Sequence, residues 1–170
     1  IRHPKSENTP VLLKVVDLTV EREDGTIGLK DVSFDIRSGE ILGVAGVAGS
    51  GQRELCETIA GLMKAKAGAA LYRKENIIGK TPSEIIELGI GMSFVPEDRL
   101  GMGLVASMGM VDNMLLKSYR RHKGPFVDKT PARDMANVLV ERLDIVTPGV
   151  DTPVRLMSGG NVQKVMLGRE

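Results

Sequence analysis

At 170 residues the chain is long enough for one domain with a buried core, and no apolar run approaches the roughly 18 residues of a membrane helix. Its 23 basic and 22 acidic side chains leave a net charge of +1, which argues against a nucleic-acid surface, where a concentrated basic face is expected. A single cysteine, Cys56, excludes a disulfide within these residues and suits a reducing compartment, while 3% aromatic content without tryptophan argues against a base-stacking platform.

The first ten residues, IRHPKSENTP, are polar, hold two prolines and read as a linker or tail. From Val11 the chain changes character. VLLKVVDLTV reads as a strand, Asp24-Gly25 as a turn, and IGLKDVSFDI as the returning strand of a hairpin. After Ser38-Gly39, the short apolar run EILGVAG predicts a buried parallel strand. Leu55, Ile59 and Leu62 recur at helical spacing and predict a helix over Gln52 to Met63. GAALYRKENI predicts an edge hairpin. TPSEIIELG predicts a helix with Thr81 as N-cap, Pro82 in the first turn, Glu84 closing a capping box and Gly89 at the C-terminal end.

IGMSFV predicts a second buried strand, stopped by Pro96. EDRLGMGLVASMGM reads as a glycine-rich loop, VDNMLLKSY as a helix, and TPARDMANVLVERL as a helix capped at Thr130 and Pro131. PVRLMSGGNVQKVMLGRE breaks at Gly159-Gly160 and resumes as a helix. A β-rich first half and a helical second half predict two subdomains.

The stretch Gly46 to Glu54, GVAGSGQRE, joins the predicted buried strand to the predicted helix. It has the glycines of a phosphate-cradling loop, Gly-x-x-x-x-Gly. In such a loop successive backbone N–H groups point inward, and the following helix adds its unpaired N–H groups and positive dipole end. The lysine and the Ser or Thr that normally follow are replaced by Gln52 and Arg53. Gln52 cannot supply the charge, and Arg53 cannot ligate a cation. Taken alone, the loop is equally a glycine turn packing a helix against a sheet. A dinucleotide reading starts at Gly49-Ser50-Gly51 but lacks its third glycine, because Glu54 stands there.

A second stretch decides between these readings. LMSGGNVQK, Leu156 to Lys164, resembles the signature sequence of ATP-binding cassette proteins, with Met157 in the leucine position and Asn161 replacing Gln. The motif order also matches: hairpin, degenerate phosphate loop, a strand ending in FVPED, a helical segment, then the signature. GVAGSGQREL, VPEDR and SGGNVQK together resemble the second of two cassettes fused in one chain, as found in bacterial importers of simple sugars and nucleosides. The resemblance covers Val11 to Glu170. It implies an α/β fold: a P-loop NTPase core of cassette type, with an antiparallel β hairpin subdomain and a helical subdomain, the C-terminal part of the full cassette being absent. The implied division is a tail over 1–10, the β subdomain with a partial core over 11–100, the helical subdomain over 101–157, and the signature with the start of its helix over 158–170.

The resemblance also implies roles. Gly46, Val47, Ala48, Gly49, Ser50, Gly51, Gln52 and Arg53 match the nucleotide-binding loop. Glu97 stands where the family has the Gln of the loop that senses magnesium and the attacking water, so a carboxylate there is a possible cation ligand. Its bland alternative is a solvated residue pairing with Arg99. Ser158, Gly159, Gly160 and Asn161 match the signature, which completes the ATP site of a partner cassette. The hairpin tip, where the family places an aromatic residue against adenine, offers Arg22 and Glu23. The magnesium-holding Asp, the general-base Glu and the switch His of the family lie beyond its signature helix. Residues 1–170 alone are therefore expected to be inactive, and the full-length protein to hydrolyse ATP with Mg2+. The implied partners are a second cassette, transmembrane permease subunits and, indirectly, a periplasmic or lipoprotein solute-binding protein. The implied location is the cytoplasmic face of the membrane. A stand-alone phosphate- or nucleotide-binding regulator and a dinucleotide-binding enzyme are the alternatives.

Overall fold

The computed structural model describes residues 9–118 and 127–170. The chain divides into two compact units, residues 1–92 and 93–170. Residues 1–8 of the predicted tail lie outside the described residues.

The first unit is built on a four-stranded antiparallel sheet of order β2-β1-β3-β4, with β1 at Val11–Glu21, β2 at Ile27–Arg37, β3 at Ala67–Tyr72 and β4 at Glu75–Asn76. The predicted hairpins form because the turn chemistry is local. Asp24 accepts hydrogen bonds from the backbone N–H and the hydroxyl of Thr26, and Gly25 donates to the Arg22 carbonyl at 2.9 Å. Two breaks of register on the β1–β2 pair carry Asp17 and Asp31 at positive φ. Each is held across the ladder, Asp17 by Ser33 and Asp31 by Thr19. Val15, Leu18 and Val20 of β1, Ala70 of β3 and Ile77 form one core with Leu55 of α1, Gln52–Ile59, and Ile85 of α2, Pro82–Glu87. The capping box at α2 forms between Thr81 and Glu84, with Pro82 in the first turn.

Two predicted strands are not strands. Residues 40–46 and 90–95 run without a ladder partner, and Ile41 is 82% exposed. A buried parallel strand needs hydrogen-bonded neighbours and covered faces. Among the described residues no segment pairs with either stretch, so their apolar character finds no sheet to join. The helix expected to reach Met63 ends at Ile59, and Leu62 is 53% exposed.

The second unit is helical. The glycine-rich loop contains a single π-helical turn, Arg99–Gly103, capped by Asp98, whose carboxylate accepts the Gly101 N–H. α3 spans Met110–Ser118, α4 Thr130–Arg142 and α5 Gly159–Arg169, with a short 3-10 turn at Val154–Leu156. Tyr119, the last residue of the predicted α3, lies outside the described residues. Thr130 does not cap α4. The cap position is Lys129, with no side-chain cap bond, and the Thr130 N–H is taken by Asp128.

Met110, Val111, Ala136, Val154, Val165 and Met166 lead the core of this unit. Within it Asn113 is fully buried. Its side-chain oxygen accepts the Val105 N–H, and its amide nitrogen lies within hydrogen-bond distance of the carbonyls of Val105, Met108 and Gly109. On the other side, the backbones of Val154 and Arg155 donate to Met108 and Ala106. The segment 105–109 is thus held from both flanks.

Candidate functional site

The glycine loop of the first unit leads directly into α1. Gly51 is the N-cap, with φ 100°, and a Cβ built there would lie 2.5 Å from the Gly28 carbonyl oxygen of β2. Only glycine satisfies both the left-handed backbone and this contact. The Ser50 N–H donates to the Val47 carbonyl at 3.1 Å, closing a tight turn. The Ser50 hydroxyl oxygen lies 2.7 Å from the same carbonyl and 3.0 Å from the Gln52 side-chain oxygen. A Cβ on Gly46 would meet Ser50 Oγ at 2.3 Å and Gln52 Nε2 at 2.6 Å. The space beside Gly46 is therefore filled by the loop's own side chains.

The first turn of α1 leaves its N–H groups without intrahelical partners, the usual basis of an anion site. Here Glu54 occupies that turn. It is 8% exposed. Burial opposes its ionisation. The hydrogen bond from Arg22, its own backbone N–H and the nearby Arg22 and Arg53 charges outweigh this and hold the carboxyl below the usual range. Arg53 donates to the buried Glu57 at 2.7 Å across one turn. The loop departs from the usual magnesium-ATP site in three ways. The lysine is missing, Arg53 replaces the metal-ligating hydroxyl, and a carboxylate already answers the helix N-terminus.

In the second unit, Glu97, Asp98, Arg99, Leu100, Met157, Gly159 and Val162 line an open cavity of about 370 Å³. Glu97 is exposed there. Arg99 donates to the Gly159 carbonyl at 3.3 Å, not to Glu97. No cluster of three or more His, Cys, Asp or Glu suited to a metal is formed among the described residues.

Ser158 caps α5, accepting the Asn161 N–H at 3.4 Å. Gly159 and Gly160 follow in the first turn and are exposed. A Cβ on Gly160 would meet open space, and one on Gly159 would meet only the Arg99 guanidinium, at 3.2 Å. The Ser158 hydroxyl proton and the N–H groups of this turn are the chemistry a terminal phosphate oxygen needs. Asn161 points elsewhere: its side-chain oxygen accepts the Val146 N–H at 3.2 Å and its nitrogen donates to the Val146 carbonyl at 3.1 Å. Lys164 donates to the Asp144 carbonyl. These two side chains tie α5 to the loop that follows α4.

Sequence reasoning missed Arg22 and Asn113. The sequence marks Arg22 only as a charge where an aromatic ring is expected, and its contacts lie 27 and 32 residues away. Asn113 sits in an apolar helix with no local signal of its role.

A hairpin sheet carrying a glycine loop at a helix start, and a helical unit with Ser-Gly-Gly at the exposed start of another helix, are parts of an ATP-binding cassette. The chain belongs to the ABC transporter family, whose profile matches residues 29–170. It is 36% identical over 163 residues to the nucleoside import ATP-binding protein NupA of Lactococcus lactis subsp. cremoris (strain MG1363), covering 94% of this chain and 32% of that protein. It is 37% identical over 168 residues to the guanosine import ATP-binding protein NupO of Bacillus subtilis (strain 168), covering 94% and 31%. It is 33% identical over 172 residues to the galactose/methyl galactoside import ATP-binding protein MglA of Shigella boydii serotype 4 (strain Sb227), covering 99% and 33%. The chain thus spans about a third of the length of these curated relatives. Among solved structures it resembles the dimeric form of MJ0796, a bacterial ABC transporter cassette, with a TM-score of 0.74 at 20% identity over 92% of this chain and 68% of that one. It also resembles the ADP form of the cassette MJ1267, with a TM-score of 0.64 at 23% identity over 95% and 64%.

Proposed function

We propose that this chain is part of the nucleotide-binding subunit of an importer for simple sugars or nucleosides, and that it serves as signature donor. In this reading Ser158, Gly159 and Gly160 complete an ATP site whose phosphates and Mg2+ are held by the loop of a partner cassette. Gly46 to Arg53 form the degenerate loop of a weak or inactive site. Glu97 is the sensing-loop residue. Residues 11–100, 101–157 and 158–170 are the β, helical and signature segments. Asn161 matches the signature but braces the helix.

The observation that carries the reading is the contrast between the two glycine segments. Both segments are largely exposed, but the space beside Gly46 is filled by Ser50 and Gln52, whereas Gly160 faces open space and Gly159 meets only the Arg99 guanidinium. The names of the relatives support nucleosides or simple sugars as the solute class. The further partners are permease subunits at the cytoplasmic face of the membrane and a solute-binding protein outside it. ATP hydrolysis belongs to the complete protein. The test compares Ser158→Ala and Gln52→Ala in the reconstituted transporter, reading solute uptake and ATPase rate. Equal effects of the two variants would overturn the assignment.

A further inference from the structure

The hairpin reaches the glycine loop through one side chain. Arg22, the residue after β1, donates from Nε to Glu54 Oε1 at 2.5 Å and from Nη2 to the Gly49 carbonyl at 2.8 Å. The two acceptors belong to different parts of the site. Glu54 is in the first turn of α1, and Gly49 is inside the loop. One edge of a guanidinium offers two parallel N–H groups and can serve both at once.

The surroundings are shaped for this bridge. The Glu54 side chain is buried against β2: a Cβ on Gly28 would meet its Cγ at 2.9 Å. The Gly28 carbonyl in turn meets Gly51, so the hairpin and the loop touch through two glycines. A buried carboxylate requires a partner, and Arg22 is the cation bonded to it. Gly49 sits at positive φ, and its carbonyl turns outward to the guanidinium.

We propose that Arg22 is a positioning residue that latches the glycine loop to the hairpin, holding the loop's shape without a bound ligand. A loop of this type is ordinarily ordered by phosphate and by its own lysine. This one has no lysine, and its order comes from the hairpin instead. The same position explains why the hairpin tip carries a cation where the family resemblance leads one to expect an aromatic ring. The latch goes beyond the reading of the chain as signature donor and stands whether or not the loop takes up a phosphate.

The test is hydrogen–deuterium exchange of the intact protein, followed in the peptide spanning residues 46–55, together with melting temperature. Arg22→Lys keeps a charge for Glu54 but has a single nitrogen, which goes to the carboxylate. It is expected to leave the melting temperature near that of the parent while the loop peptide exchanges at least about tenfold faster, the effect of losing one charge-assisted hydrogen bond. Arg22→Ala is expected to speed the loop and also lower the melting temperature, because Glu54 is left buried without its partner. Adding Glu54→Gln to Arg22→Ala is expected to recover the melting temperature but not the loop. A purely structural ion pair would move both readouts together. The latch is overturned if loop exchange in Arg22→Lys and Arg22→Ala matches the parent, or if Glu54→Gln restores loop protection without Arg22.

Discussion

Gly49 and Gly51 both stand at positive φ, at 84° and 100°, but their surroundings differ. A methyl on Gly49 would meet open space, while one on Gly51 would strike the Gly28 carbonyl. Gly49→Ala is expected to cost about 1 kcal/mol, the penalty of the left-handed backbone alone. Gly51→Ala adds a backbone clash and is expected to cost about 2–4 kcal/mol. Denaturant unfolding of the two variants checks the difference, and equal losses would refute the contact. A second expectation at this scale concerns acid. Glu54 titrates below its ordinary value of 4.5 when folded, so unfolding takes up a proton in the range between. Its contribution is complete above the unfolded value and is lost as pH falls through the folded one. Glu54→Gln should therefore flatten the fall in stability below about pH 4.5, measured as unfolding free energy against pH. A slope unchanged from the parent would mean that Arg22 does not stabilise the carboxylate. The glycines of the loop were legible because glycine marks backbone need. Arg22 was not, because its partners are distant in the chain and its type alone says only that it is charged.

At the scale of elements, local chemistry was read well and partnership poorly. The capping box at Thr81 and Glu84 and the Asp24-Gly25 turn depend on residues two or three apart, and both form. The runs at 40–46 and 90–95 have the composition of buried strands, but composition cannot supply a neighbouring strand. Asn113 shows the reverse case, a polar residue in an apolar helix whose value comes from four backbone groups of the 105–109 segment. Each of those groups would be left with one partner fewer if the amide were removed. Asn113→Ala is expected to lose about 1–3 kcal/mol, more than an exposed Asn would, because the Val105 N–H is left without its acceptor while the three carbonyls keep the backbone donors of Met108, Val154 and Asn113. Asn113→Asp keeps the acceptor for Val105 but turns a carboxylate toward carbonyl oxygens, so it is expected to be at least as damaging. Thermal or urea unfolding decides this. A loss below 1 kcal/mol for Asn113→Ala would show that the segment holds itself.

At the scale of the whole molecule, the family was legible because three motifs occur in a fixed order, although each is weak alone. What the order does not reveal is that the two glycine segments differ in their own packing. If the chain donates its signature and keeps a closed loop, nucleotide binding at one site and turnover at the other are separable by mutation. Gln52→Lys removes the amide that packs beside Gly46 and restores the charge that such loops use. It is expected to raise ATP affinity at that site by roughly 10- to 100-fold, since a hydrogen bond to a charged group contributes about 1.5–3 kcal/mol. The transport-coupled ATPase rate should stay within about twofold, because the turning site lies on the partner's loop. Ser158→Ala should do the opposite. It leaves the Gly46–Gly51 loop untouched, yet on the proposed reading removes a hydroxyl that meets a phosphate held by the partner, so turnover and uptake are expected to fall by about 10²-fold or more. As a mere helix cap, the same serine would contribute about 1 kcal/mol of stability and leave coupling intact. Equilibrium ATP titration, ATPase rate, uptake and melting temperature on the two variants of the complete transporter separate these outcomes. Loss of uptake in Gln52→Lys, or normal uptake in a folded Ser158→Ala protein, would place the working site on the wrong side of the pair.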